Sequence, residues 1–133
     1  HAHELAGVLV EPVQSRKPSL QPAYFLRQLD SICKSNDVPF IVDEIITGFR
    51  IHPGGAQAWF GIKGDLVLYG KVIGGGMPLG IVAGSERFMT GIDGGFYDFK
   101  DNSHPVLDHR RTFVAGTFCH HPVTLAASNA ALD

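Results

Sequence analysis

The chain has 133 residues, a net charge of −2 and 44% hydrophobic residues, which fits one globular domain with a buried core. Eleven Lys and Arg face 13 Asp and Glu, and the longest basic run is Arg110-Arg111, so the sequence predicts no nucleic-acid partner. No apolar stretch reaches the roughly 18 residues of a membrane-spanning helix, and Cys33 and Cys119 lack CxxC spacing, which predicts a cytoplasmic protein with reduced thiols and no membrane partner.

Short apolar runs alternate with helical patterns along the sequence. In chain order we predict a strand at 5–10, a helix at 21–35, a strand at 40–42, a helix at 56–60, strands at 65–69 and 79–84, a short helix at 86–89 capped by Ser85, a long functional loop at 91–108 and a helix at 122–132. The first strand is apolar throughout, which is typical of the interior of a parallel sheet. The pattern predicts an α/β fold with a mostly parallel sheet flanked by helices.

Both ends of the sequence interrupt a pattern. The first strand pattern begins almost at once after His1, and Asp133 stops within the last helical pattern. We therefore expect residues 1–133 to form a single partial domain of something longer.

Lys71 stands between a strand-like apolar run and the glycines Gly74-Gly75-Gly76. Burial at the end of a strand lowers the pKa of a lysine, which suits an amine that must attack an aldehyde. The glycines would let a bulky cofactor approach the backbone. A surface lysine in a turn has the same local sequence, so Lys71 by itself indicates nothing specific.

Asp43 gives Lys71 a companion, because it ends the apolar run Phe40-Ile41-Val42. The carboxyl ends of neighbouring strands are where ligands bind in α/β sheets, and an unpaired carboxylate there is costly. A protonated pyridine nitrogen would be its partner, and Ile45 would lie against the ring face. The pairing predicts pyridoxal phosphate. Equally, Asp43 or Glu44 could cap the helical turn that follows.

Five motifs occur in order over nearly the whole chain, and together they resemble the middle of the class III (omega-type) pyridoxal-phosphate aminotransferases. The similarity is greatest to the glutamate-1-semialdehyde aminomutase-like subgroup, and it implies a central fragment of the fold type I large domain. The motifs begin at Glu11-Pro12-Val13-Gln14, Val42-Asp43-Glu44-Ile45, Gly54-Gly55-Ala56-Gln57, Gly70-Lys71-Val72-Ile73 and Gly116-Thr117-Phe118-Cys119.

The resemblance implies a role for four residues. Lys71 would form the internal aldimine, Asp43 would bind the pyridine nitrogen, and Ile45 would pack on the ring. Thr117 would contact the cofactor phosphate of a neighbouring subunit, which implies a homodimer. Without the resemblance, Thr117 reads as a turn or N-cap residue before the last helix. The implied reaction moves an amino group from a small amino donor to a carbonyl acceptor.

The sequence leaves other functions open. An aminomutase would use the same residues but return the amino group to the same carbon skeleton, and a truncated fragment would fold or dimerise without catalysis. His120-His121 lie side by side without HxxxH or HExxH spacing, so we predict no metal site. A nucleotide-binding loop is disfavoured because the glycines follow Lys71 and form neither GxGxxG nor GxxxxGK[ST].

Overall fold

The computed structural model describes residues 1–93, 112 and 114–133, and most of the loop predicted at 91–108 lies outside this range. The helices and strands are β1 (Val8–Val10), α1 (Ala23–Ser35), β2 (Phe40–Asp43), α2 (Gly55–Phe60), β3 (Leu66–Gly70), β4 (Gly80–Gly84), α3 (Glu86–Asp93) and α4 (Pro122–Leu132), with short 3-10 helices at Ala2–Glu4 and Lys71–Gly74. The predicted order of helices and strands is confirmed, and α3 extends four residues beyond its predicted end.

The four strands form one sheet in the order β1-β2-β3-β4. The first three strands run parallel and β4 runs antiparallel to β3. The predicted mostly parallel α/β sheet is therefore confirmed. The first strand differs from its prediction, because β1 is only three residues long and, within the described residues, pairs with β2 alone. It is an edge strand, and its Leu9 is 58% exposed.

The two faces of this sheet differ in burial. The closed face carries Phe40, Val42 and Val67, which pack with Leu26 and Cys33 of α1 and with Ala56 and Phe60 of α2. Side chains alternate along a strand, so the residues between them lie on the other side of the sheet. We call that side the open face, and it is formed by Leu9, Ile41, Asp43, Leu68 and Val82. Val82 is 46% exposed there, whereas Phe40 and Val42 are fully buried.

Helix α1 follows Pro22, as predicted, and covers the closed face. Its buried residues are Leu26, Asp30 and Cys33, spaced three or four apart. Among the apolar residues whose spacing predicts the helix, Tyr24, Phe25 and Ile32 are exposed. Burial raises the pKa of the Cys33 thiol, and the nearby charges of Asp30 and Asp65 raise it further, which keeps this thiol protonated and unreactive.

Helix α4 packs against the glycine-rich turn after Lys71. Gly75 has a left-handed φ of 58°, and a Cβ atom placed on it would lie 2.6 Å from the carbonyl oxygen of Ala127. This glycine is therefore needed for the close approach of α4. His121 caps the helix, because its Nδ1 accepts a hydrogen bond of 3.3 Å from the backbone N–H of Thr124. In the described part of the chain, no helix has the length and apolar character to cross a membrane.

Candidate functional site

Strands β2 and β3 are parallel neighbours, so their carboxyl ends meet at one edge of the sheet. Asp43 ends β2 and pairs with Leu68, and β3 ends at Gly70, directly before Lys71. A Cβ atom placed on Gly70 would lie 3.4 Å from Ile45 Cγ2, so Ile45 rests against the backbone that carries Lys71. The structure thus places Asp43, Ile45 and the backbone that leads into Lys71 at one edge of the sheet.

Lys71 begins the turn that leaves the sheet. Its φ is 51°, in the left-handed region that costs a residue with a side chain about 1–2 kcal/mol. Backbone strain of this kind is concentrated at functional sites. The sequence leaves open a buried lysine at a strand end and a surface lysine in a turn, and the structure has the second: Gly70 is buried but Lys71 is exposed, because the backbone turns away from the sheet between them.

Asp43 is half-buried on the open face. Its Oδ1 accepts a hydrogen bond of 3.0 Å from the backbone N–H of Ile45, so the carboxylate holds the turn that follows β2. Within the described residues, Oδ2 accepts no hydrogen bond. Asp43 therefore serves the capping role considered from sequence and still has one carboxylate oxygen available for a donor such as a protonated ring nitrogen.

Glu44 is the residue whose importance the sequence did not reveal. It is 1% exposed and accepts hydrogen bonds from the hydroxyl of Thr47 and from the backbone N–H groups of Ala56 (2.9 Å) and Gln57 (2.8 Å). The last two are unpaired donors at the start of α2, so Glu44 caps that helix from a distant part of the sequence. The sequence shows the acidic pair Asp43-Glu44 at a strand end. The partners of Glu44, however, lie 12 and 13 residues later and meet it only in the folded chain.

A glycine lets the turn after β2 approach β3 closely. A Cβ atom on Gly48 would lie 2.7 Å from Tyr69 Cδ1, so the Tyr69 ring occupies that space, whereas a Cβ atom on Gly70 would meet Ile45 Cγ2 at an ordinary contact distance of 3.4 Å. The hydroxyl of Tyr69 accepts a hydrogen bond of 3.2 Å from Gln57 Nε2. Burial raises the pKa of Tyr69, and the negative charge of Glu44 raises it further.

Thr117 lies in a turn ahead of α4 and is exposed. It lines an open groove of about 710 Å³ together with Pro78, Leu79 and Gly80 at the start of β4 and Leu125 of α4. Its hydroxyl makes no hydrogen bond within the described part of the chain. Thr117 therefore lies at the surface. It is separate from the contact between Ile45 and the backbone before Lys71.

The histidines do not form a metal site in the regions that are described. His121 is used as the cap of α4, and no group of three His, Cys, Asp or Glu side chains comes together among residues 1–93, 112 and 114–133.

The three residues at the sheet edge fit an aromatic aldehyde with a basic ring nitrogen. Lys71 offers an exposed amine, and Asp43 has a carboxylate oxygen that accepts no hydrogen bond from the described residues. Ile45 adds a branched apolar side chain next to the backbone of Gly70. Leu68 pairs with Asp43 and Val82 pairs with Leu68 in the strand register, so apolar residues lie on one side of Asp43 along the open face. An apolar site with a few polar groups is what a cofactor ring requires.

Comparison with known proteins gives a consistent result. The sequence model of the family Aminotransferase class-III matches residues 1–133. The glutamate-1-semialdehyde 2,1-aminomutase of Ruminiclostridium cellulolyticum is 39% identical over 98% of this chain and 27% of its own length. The crystal structure of an omega-transaminase from Sphaerobacter thermophilus superposes with a TM-score of 0.78 and 34% identity, and a structure described as a transaminase with PLP bound with 0.77 and 33%. Each of these two structures matches 99% of this chain over 28% of its own chain.

Proposed function

The chain belongs to the class III aminotransferase family, and from this premise we propose that it contributes the cofactor-anchoring part of a pyridoxal-phosphate-dependent aminotransferase. The observation that supports the proposal is the meeting of Asp43, Ile45 and Lys71 at the carboxyl edge of β2 and β3. Because the chain spans about a quarter of its relatives' length, the activity of a whole enzyme is part of the proposal.

When bound, pyridoxal phosphate supplies an electron sink that stabilises negative charge at the α carbon of an amino-acid substrate. Asp43 Oδ2 would accept a hydrogen bond from the protonated ring nitrogen, which keeps that nitrogen charged. Oδ1 already accepts a hydrogen bond from the backbone N–H of Ile45, which orients the carboxylate. Ile45 would contact one face of the ring.

Lys71 would bind the cofactor aldehyde covalently through Nζ. The same Nζ, once free, would remove a proton from the α carbon of the substrate and return one, as general base and then general acid. The left-handed backbone at Lys71 and the fixed position of Gly70 limit where the amine can reach. The substrates are a small amino donor and a carbonyl acceptor.

Thr117 supports a proposal about assembly. Because it is exposed on a groove beside β4, its hydroxyl and backbone N–H are available to a phosphate group held by a second copy of the chain. We propose a homodimer in which each Thr117 serves the neighbour's site. A cytoplasmic location is part of the same proposal and is consistent with the two free cysteines, Cys33 and Cys119.

One experiment tests the anchoring role. Pyridoxal phosphate is added to the purified chain, the yellow absorbance is recorded, and borohydride is then used to fix the cofactor for peptide mass mapping. We expect colour and a modified Lys71, and neither in Lys71→Ala. Lys63→Ala, which removes another exposed lysine, is the matched control and should behave like the wild type. Absence of colour in the wild type favours a fragment that folds without catalysis and overturns the proposal.

An aminomutase is the second candidate, because curated relatives that match at 35–40% identity carry that name. Product analysis separates the two. With glutamate 1-semialdehyde and no acceptor, an aminomutase forms an isomer of unchanged mass. An aminotransferase instead gives an amino product only when a donor and a separate carbonyl acceptor are both present. Isomer formed in the absence of an acceptor would favour the aminomutase.

A further inference from the structure

Glu44 connects the ends of β2 and β3 through hydrogen bonds. The inference drawn from this connection rests on the proposed function and deepens it. The carboxylate is buried and faces three donors, while the residue before it is Asp43 and the residue after it is Ile45. The contacts that hold Glu44 in place therefore also hold the backbone of Asp43 and Ile45, the two residues proposed to bind the cofactor ring.

The same carboxylate is connected to the strand that carries Lys71. Gln57, whose backbone N–H donates to Glu44 Oε1, also donates from its side chain to the hydroxyl of Tyr69, two residues before Lys71. The side-chain oxygen of Gln57 accepts a hydrogen bond of 3.3 Å from the backbone N–H of Gly64, which holds the amide in one orientation. A continuous chain of hydrogen bonds thus runs from the end of β2 through α2 to the end of β3.

The packing leaves little room for movement in this chain of contacts. A Cβ atom on Gly55 would lie 2.3 Å from Glu44 Oε1, and Gly55 has a φ of 74°, so a glycine at this position makes space for the carboxylate. The ring of Tyr69 is held between Gly48 and Phe49, whose ring centroid lies 5.3 Å from its own. Phe49 itself adopts a left-handed φ of 60°. Strain of this kind persists only where surrounding contacts determine the structure.

We propose that Glu44 is a positioning residue, which acts through Gln57 and Tyr69 to set the placement of Asp43 and Ile45 relative to Lys71. It touches neither the cofactor nor the substrate. A misplacement of about 1 Å at a reacting group is enough to reduce a rate about 100-fold, so a side chain with this role is detectable by its effect on the site rather than on folding alone.

The test uses the protein loaded with pyridoxal phosphate and compares Glu44→Gln and Tyr69→Phe with Asp65→Asn. Asp65 is the matched control, because its Oδ2 accepts a backbone hydrogen bond of 2.9 Å from Phe40 at the opposite end of β2. Tyr69→Phe removes only the hydroxyl, so it keeps the test valid if Glu44→Gln does not fold. For each variant we measure the visible circular dichroism per bound cofactor, the pH midpoint of the cofactor absorbance, and the unfolding midpoint.

We expect Glu44→Gln and Tyr69→Phe to change the circular dichroism band and the pH midpoint, and to lower kcat by about 10- to 100-fold. Asp65→Asn should lower the unfolding midpoint and leave both cofactor signals unchanged. Unchanged cofactor signals in both site variants, or the same change in Asp65→Asn, would overturn the positioning role while leaving the proposed function intact. A wild-type chain that takes up no cofactor overturns the proposed function itself, and the positioning role with it.

Discussion

The two faces of the sheet divide stability from chemistry. On the closed face, Phe40 and Val42 are fully buried beneath α1 and α2 and hold the fold together. The open face has a similar apolar composition, yet Leu9 and Val82 are about half exposed, and its one charged residue, Asp43, belongs to the candidate site. A residue on the closed face therefore acts mainly through packing, whereas the open face presents a surface suited to a ligand or to other polypeptide.

The largest expected effect is on the closed face. Val42→Ala removes two methyl groups from a fully buried position on the central strand β2, and the remaining cavity cannot be filled by solvent. We expect a loss of about 2–4 kcal/mol in the free energy of unfolding, measured by urea titration. Val82→Ala on the open face is the matched control, and we expect it to cost less than about 0.5 kcal/mol. Equal losses in the two variants would contradict the distinction between the faces.

A smaller effect is expected where the closed face reaches the site, at the start of α2. Gly55→Ala introduces a Cβ atom that collides with the Glu44 carboxylate and forces a left-handed residue, which together should cost about 2–3 kcal/mol.

Gly61→Ala is the matched control for this prediction. Its φ is 68°, but a Cβ atom there would meet nothing within 4 Å, so only the backbone strain of about 1–2 kcal/mol remains. The difference between the two unfolding free energies isolates the contact with Glu44. If Gly61→Ala is as destabilising as Gly55→Ala, the carboxylate is not confined as the structure indicates.

These residues also show what a single sequence can and cannot reveal. The end of β2 and the start of α4 were predictable, because an apolar run ends at Asp43 and a proline opens the helix at Pro122. The placement of Lys71 and Asp43 at one edge of the sheet was also predictable, because both residues follow strand patterns. The burial of Glu44 and the fit of Tyr69 against Gly48 were not, because each depends on groups brought together only when the strands pair. The exposure of Leu9 could not be predicted either, since an apolar run looks the same in an edge strand and a central one.

On the open face, Asp43→Asn should separate stability from function. The amide keeps an oxygen to accept the hydrogen bond from Ile45, so we expect the free energy of unfolding to change by less than about 0.5 kcal/mol. The amide cannot keep a ring nitrogen protonated, so cofactor uptake should persist while the proposed transamination falls strongly. Urea titration, cofactor absorbance and amino-group transfer are measured on the same preparation. An unchanged rate would count against the role of Asp43.

The smallest effect is expected away from both faces of the sheet, at the exposed ion pair between Arg87 and Asp37. Arg87 donates hydrogen bonds of 2.6 and 3.2 Å to the two oxygens of Asp37, and these bonds and the positive charge hold the pKa of Asp37 below its ordinary value. A pKa that is lowered on folding stabilises the protein above the unfolded value, about 3.9, and this contribution is lost as the pH falls through the folded value. Arg87→Gln should therefore lower the unfolding midpoint slightly at neutral pH and by a smaller amount below about pH 3. A difference that is independent of pH would assign the effect instead to the packing of Arg87 over the Phe88 ring, 5.1 Å away.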